Sequence, residues 1–233
     1  MDDNLDLEAY LFISPKKLII LVNTNLDNKI YKEELILQKE HEDIDLNQLD
    51  EFLYQNIFKI EKRSKNFIKN VTIILDLDIF MPIEISIKRN NYEENIDINS
   101  LKNILYEAKE DCQKTLQGSK ISHMLIDCYK FDGNSYSHLP KNIKCKSYSV
   151  DIKFICISDN LYRRLEDILK KYQISLNQVI SAKYIENFLS DPDENIFSMT
   201  RKIINGQNPN EVRLINKSLK NKGFFEKFFN FFR

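Results

Sequence analysis

Two apolar runs near the start of the chain, residues 10–13 and 17–23, are joined by Ser14-Pro15-Lys16 alone, and this pairing most constrains the fold. Strand-forming runs separated by so short a turn-former read as a hairpin. A third run, residues 29–37, follows the turn signal Asn25-Leu26-Asp27-Asn28, so the chain is expected to open as an antiparallel meander. Next, Leu46, Leu49, Leu53, Ile57 and Ile60 recur every three or four residues, the spacing of one helical face, behind an Asp45/Gln48 capping box. That face is expected to lie on the meander.

Strands follow at residues 71–80 and 84–89, with a break at Met81-Pro82 because proline brings no N–H to a ladder. A helix over about residues 100–116 keeps Leu101, Ile104, Leu105, Ala108 and Cys112 on one side and stops at Gly118. Two long strands (121–131 and 146–157) flank a turn-rich connection, which makes a strand-helix-strand-strand unit. A helix capped by Ser158 or Asp159, with Leu161, Leu165, Ile168 and Leu169 inward, precedes a short strand at 178–181 and a short helix at 183–189. The class is α/β, in an α+β arrangement. Residues 205–222 are rich in Asn and Lys and read as a polar linker.

Composition removes several functions. Only Gly118, Gly133, Gly206 and Gly223 occur, each isolated, so no glycine-rich loop can bring successive backbone N–H groups to a phosphate. Walker and Rossmann loops are excluded. Cys112, Cys128, Cys145 and Cys156 form no Cys-x-x-Cys pair and have no histidine at zinc-ligand spacing, which fits buried reduced thiols. With 34 Lys+Arg against 35 Asp+Glu, the body has no field to hold a nucleic acid. No stretch approaches the roughly 20 apolar residues of a membrane span, and the acidic start MDDNLDLEAY lacks the features of a signal peptide. A cytoplasmic location is expected.

The last eleven residues, GFFEKFFNFFR, stand apart. On a helix, Phe224, Phe225, Phe228, Phe229, Phe231 and Phe232 fall within an arc of about 160°, with Glu226, Lys227, Asn230 and Arg233 opposite. That segregation suits a helix lying in a membrane interface, with the phenylalanines, Lys227 and Arg233 as contacts. From Glu211 onward six cations oppose two carboxylates, a net charge of +4, which leaves the body near −5 out of a total of −1. Anionic lipid is therefore the expected surface. Docking on the protein's own core or in a partner groove are the other uses of such a helix; the polar stretch before it favours the membrane.

Chemistry-bearing clusters are few. Asp76 and Asp78, two apart in ILDLDIF, share a strand face and could seat a metal or an acid/base pair, but they also fit a solvated face. His41, His123 and His138 fall on different elements, and Arg163 and Arg164 beside Glu166 and Asp167 read as local ion pairs. No catalytic or metal-ligating residue is assigned.

In order, the stretches YLFISPKKLIILV, INSLKNILYEAKEDC, SHMLIDCYKFDG, SYSVDIKFICIS and NLYRRLEDILKKYQISLNQVISAKYI, with the terminal helix, resemble the bacterial cell-division FtsA family, membrane-tethered members of the actin family. The resemblance runs over about residues 9–189 and resumes at the tail. It implies a partial actin-like (ribonuclease-H-like) core over residues 1–70 and 158–204, an inserted FtsA-type subdomain over 71–157, a polar linker over 205–222 and an amphipathic helix over 223–233. The departures shape the expected function. Phe12 stands where the family has its phosphate-loop Asp, Ser14 and Pro15 replace Gly and Thr, and Lys16 or Lys17 alone could stand for the Lys. The second half of the actin fold is missing, so ATP, and any cofactor, is not carried over. The expectation is a non-enzymatic, FtsA-like scaffold on the cytoplasmic face of the inner membrane, at midcell in a division role. It would contact division proteins and copies of itself, without the region that grips FtsZ. A pilus-assembly actin-like adaptor is the alternative; a nucleotide-dependent enzyme using Asp76, Asp78 and Lys16 is a more distant one. Surface left bare by the missing half is expected to need repacking or another chain.

Overall fold

The N-terminal apolar runs form the middle of a five-stranded sheet. The structure, a computed structural model, describes residues 7–24, 29–37, 44–93, 95–96, 98–140, 143–188 and 194–213. Strands β1 (Leu7–Ile13), β2 (Lys17–Thr24) and β3 (Lys29–Ile36) make the expected meander. Strands β4 (Asn70–Leu75) and β9 (Ser175–Ser181) then add in parallel, giving the order β3-β2-β1-β4-β9. Because side chains alternate along a strand, the apolar runs feed two cores. Leu11, Ile13, Leu18, Ile20, Ile73 and Val179 face α1 (Leu46–Ser64) and α3 (Asp159–Lys170), whereas Tyr10, Phe12, Ile19, Leu21, Ile74 and Ile180 face α4 (Ala182–Phe188) and α5 (Ile196–Ile204).

Helix α1 owes its place to burial. Leu49, Phe52, Leu53, Ile57 and Ile60 are buried on it, each worth roughly 1.5–3 kcal/mol against exposure, far more than any helix propensity. Asp45 caps it by accepting from the Asn47 and Gln48 amides at 3.0 and 3.1 Å. The expected reciprocal half of the capping box is not formed: the Gln48 carbonyl oxygen is buried without a hydrogen-bond partner. Buried Asn56 accepts from the Tyr31 hydroxyl at 2.7 Å and donates to the Phe52 carbonyl, so it ties β3 to the helix.

A second sheet, in the order β5-β8-β6-β7, is built from β5 (Met81–Asn90), β6 (Ser119–Phe131), β7 (Asn134–Tyr136) and β8 (Ser147–Ser158). Helix α2 (Ile98–Thr115) covers one face of it with Leu101, Ile104, Ala108 and Cys112 over Met124, Val150, Ile152 and Phe154. The other face is polar, with Asp151 accepting from Ser86 and pairing with Lys130 at 2.6 Å. Asp132 and Gly133, at φ of 47° and 87°, form the two-residue turn between β6 and β7.

Four expectations need correction. The inserted unit does not begin at residue 71: β4 belongs to the first sheet, between β1 and β9, so the insertion starts at β5. Met81-Pro82 does not interrupt a strand. Both are paired in β5, an outer strand where alternate N–H groups point away from the partner and proline costs no ladder bond; the break falls at residues 76–80. Residues 205–222 are not a linker throughout, since the chain up to Arg213 lies along β6; residues 214–222 are outside the described residues, as is the helix expected at 223–233. Finally, the second face of the first sheet is covered by the chain's own α4 and by α5, a helix in a stretch where no element was expected.

Candidate functional site

The β1–β2 turn occupies the place of the resemblance's phosphate loop, and its hydrogen bonds turn inward. Ser14 N donates to Lys17 O at 3.0 Å, while Ser14 Oγ accepts from the amides of Lys16 and Lys17 at 3.4 and 3.1 Å. Pro15 has no N–H to offer. Phe12, 6% exposed, meets the Phe197 ring of α5 edge-on at 6.4 Å, and Tyr10 meets the same ring at 6.1 Å. Lys17 Nζ lies 5.9 Å from the Phe12 ring centre. This corner is a closed aromatic core.

The other sequence candidates do not converge. Asp76 and Asp78 lie beyond the end of β4, in the bend at 76–80, and are exposed; they do not share a strand face. The Asp76 amide is used to donate to Ile13 O at 2.9 Å. His138 is exposed on the second sheet's far connection, and His41 is outside the described residues. Arg163 pairs with Asp159 at 2.8 Å, while Glu166 and Asp167 pair with Lys170, so these ion pairs are local but differently matched. Among the described residues, no group of three metal-ligating side chains assembles. Cys112 and Cys156 are buried thiols 3.8 Å apart between α2 and β8, and burial pushes Cys156 up to about 12.

What the structure does bring together was not read as a site from sequence. After α5, residues 205–213 form a strap that pairs with β6. Ile126 N donates to Asn210 O and Val212 N to Met124 O, both at 2.8 Å. This delivers Glu211 to His123, whose Nδ1 lies 2.9 Å from Glu211 Oε1, with both side chains almost wholly buried at 0% and 5% exposure. Tyr184 of α4 donates to Glu211 Oε2 at 3.2 Å, and Asn208 donates to the Tyr184 oxygen at 2.8 Å. The His123 and Tyr184 rings lie 4.3 Å apart. Burial, and then the nearby Glu211, raise the Tyr184 hydroxyl well above the ordinary tyrosine range. His123 Nε2 is buried without a hydrogen-bond partner. The one signal in sequence was a histidine set in the alternating apolar run SHMLIDCYKF; its partner, 88 residues away, gave none.

Beside this cluster, with His123 and Glu211 among its lining residues, lies a cavity of about 380 Å³ between β6 and β9. β6 contributes Lys120, Ser122 and His123, β9 contributes Gln178 and Val179, and the strap contributes Glu211 to Arg213. Ser122 Oγ donates to Val179 O and so fastens β6 to the outer edge of the first sheet.

A sheet of three antiparallel strands continued by two parallel ones, layered by helices on both faces and interrupted by a second sheet between β4 and α3, is the mixed α/β arrangement that the resemblance implies for a partial actin-like core with an inserted subdomain. No family model matches the sequence, and no curated protein matches it. Among solved structures, the chain is similar to the PilM-PilN type IV pilus biogenesis complex, at 8% identity and a TM-score of 0.49, over 78% of this chain and 49% of that one. It is also similar to the cytoplasmic domain of EpsL, an inner membrane component of the type II secretion system of Vibrio cholerae, at 13% identity and a TM-score of 0.39, over 81% and 60%. A protein with actin-like ATPase fold from Bacteroides thetaiotaomicron matches at 13% identity and a TM-score of 0.34, over 81% and 58%. The chain thus spans between about half and three-fifths of the length of these structures. None of these likenesses reaches a particular protein or activity. Among the described residues, no helix is long and apolar enough to cross a membrane.

Proposed function

We propose that the chain is a membrane-peripheral adaptor on a partial actin-like core, working without a bound nucleotide. One observation carries this reading: Phe12 is sealed under Phe197, beside a turn whose amides are already bonded within the turn. A phosphate loop needs free amides and a nearby carboxylate for its metal, and this corner offers an aromatic plug instead. The Phe-rich tail at 223–233 supplies the membrane foot, and copies confined to the inner leaflet bind partners and one another at a raised effective concentration.

Two forms of the adaptor each have an observation in their favour. The tail favours an FtsA-like division scaffold. A pilus-assembly-type adaptor, which would hold an inner-membrane protein's N-terminal peptide, is favoured by β3, an outer strand with Leu35 and Ile36 exposed that an extended peptide can lengthen. Calorimetry with Mg-ATP and vesicle co-sedimentation test the common reading. It predicts no ATP heat, and lipid binding that disappears when residues 223–233 are deleted. Micromolar ATP binding abolished by Lys16→Ala, or unchanged co-sedimentation of the truncated chain, would sink it. A tagged copy then separates the forms, because only the division scaffold gathers at midcell.

A further inference from the structure

Strand β5 is an outer strand of the second sheet: β8 lies on one side of it, and among the described residues no strand lies on the other. The direction of its free backbone groups follows from its pairing. Just past the strand, Asn91 N donates to Lys146 O at 2.7 Å, so the odd-numbered residues of this run turn their amides toward β8. Alternation then aims the amides and carbonyls of Glu84, Ser86 and Lys88 outward, and Pro82, of the same parity, gives up no bond to β8.

This edge is self-complementary. A two-fold axis perpendicular to a sheet pairs residues of the same parity, because side chains that face each other across two strands lie on one face. With the axis at Ser86, Glu84 faces the partner's Lys88, Ile85 faces the partner's Ile87, and Ser86 faces the partner's Ser86. Opposite charges meet on the polar face, where Glu84 already pairs with Lys153 at 3.8 Å, and isoleucines meet on the face that α2 covers. The backbone agrees with this register: Glu84, Ser86 and Lys88 are the residues whose free amides and carbonyls point outward. Lys88 O accepts from Arg89 Nη1 at 3.0 Å and keeps a second lone pair. At the ends, Asn90 N–H meets the partner's Pro82 O, and the donor that proline lacks falls at the exposed Asn90, within reach of water. The outer strand of the first sheet, β3, does not share this property. Its central two-fold registers set Lys32 against Lys32 or Glu33 against Glu33.

We propose that β5 is a self-pairing edge, through which two copies of this chain join their second sheets into one continuous antiparallel sheet about a two-fold axis at Ser86. This deepens the adaptor reading by naming the surface through which copies meet, and it rests on that reading for the membrane that raises their effective concentration.

The test is cysteine cross-linking of the full chain in solution, without lipid, at about 100 μM, where weak pairing is populated. Residues that exchange both backbone bonds across two strands have Cα atoms about 5.5 Å apart, inside the roughly 4.4–6.8 Å that a disulfide spans. Ser86→Cys, oxidised with diamide, which takes up the two thiol hydrogens, should give disulfide dimer well above the native chain, whose four cysteines set the background. Glu84→Cys alone should not, since its own copy lies roughly 13 Å away along the strands, whereas a mixture of Glu84→Cys and Lys88→Cys should. In sedimentation velocity, Lys88→Glu should weaken dimerisation about tenfold, and the double reversal Glu84→Lys with Lys88→Glu should restore it. The proposal is overturned if Ser86→Cys stays at the native background, if Glu84→Cys alone cross-links as well as Ser86→Cys, or if the double reversal does not recover what Lys88→Glu loses. Vesicle co-sedimentation reads the adaptor separately: a chain that binds lipid but does not cross-link loses this proposal alone, and one that cross-links but does not bind lipid loses the adaptor reading alone.

Discussion

Truncating Phe197 to alanine tests the claim that α5 closes the second face of the first sheet. Phe197 is 8% exposed and meets both Tyr10 and Phe12 edge-on, at 6.1 and 6.4 Å. Buried Phe→Ala changes cost about 3–5 kcal/mol, from lost transfer energy and the cavity left behind. Helix α5 has nine residues, so the site can partly collapse, and the lower end, about 3 kcal/mol, is expected. Urea unfolding followed by circular dichroism reads this as a lower midpoint at an unchanged slope. Phe197→Leu keeps most of the volume and loses the ring contacts, and should cost about 1 kcal/mol. A cycle with Phe12→Ala should show coupling of about 0.5–1.5 kcal/mol between the two rings. A loss below about 1 kcal/mol for Phe197→Ala would refute the reasoning, because a helix truly sealing Tyr10, Phe12, Ile19 and Leu21 cannot lose its central ring so cheaply. The apolar face would then need another chain to cover it.

Glu211→Ala removes the acceptor shared by His123 and Tyr184, and should destabilise by about 1.5–3 kcal/mol, the range for a hydrogen bond to a charged group. Hydrogen exchange should show the Val212 amide losing protection ahead of the β-sheets; an unchanged amide would mean the cluster does not hold the strap. Acid sensitivity should trace in part to Asp50, whose carboxyl is held below its ordinary range by hydrogen bonds from Lys171 and then Tyr172. Since the folded value is the depressed one, this contribution is present above the unfolded carboxyl range, near 3.9, and is lost as pH falls through the folded value. Asp50→Asn should therefore flatten the acid limb of a Tm-versus-pH curve, and an identical limb in the variant would remove Asp50 as its source.

Which parts could be read from sequence follows from how far apart their partners lie. The meander is local: each apolar run meets the next across a few residues, and the observed strands fall within a few residues of those expected. Strand β4 was misplaced because its neighbours are distant. It pairs in parallel with β1, some sixty positions earlier, and with β9, about a hundred later, and nothing in VTIILDLDIF says which sheet it joins. The strap failed for a different reason. Its composition is that of a linker, and only the contacts of Asn208 and Glu211 with Tyr184 and His123 make it structure. A polar residue that folds by satisfying another buried polar residue leaves no hydrophobic periodicity to find.

Phe12 shows how a single position can be legible in chemistry yet not in consequence. From sequence alone, a phenylalanine in place of a carboxylate argues against a metal, but it leaves open what lies across from it. In the fold, Phe12 pairs with Ile19 on one side and Ile74 on the other, so its ring is fixed on the face that α5 covers. A carboxylate there would be buried among Phe197, Ile19 and Ile74, with Lys17 the nearest cation seen at its ring, and the cost of that burial rises steeply without a metal or water to share it. The aromatic plug and the covering helix therefore require each other: α5 can close this face because Phe12 is apolar, and Phe12 is tolerated in a nearly invariantly buried strand because α5 closes over it. The corner at Phe12 is apolar core, while buried polar groups sit toward both edges of the sheet, Asn56 with Tyr31 of β3 on one side and His123 with Glu211 beyond β9 on the other.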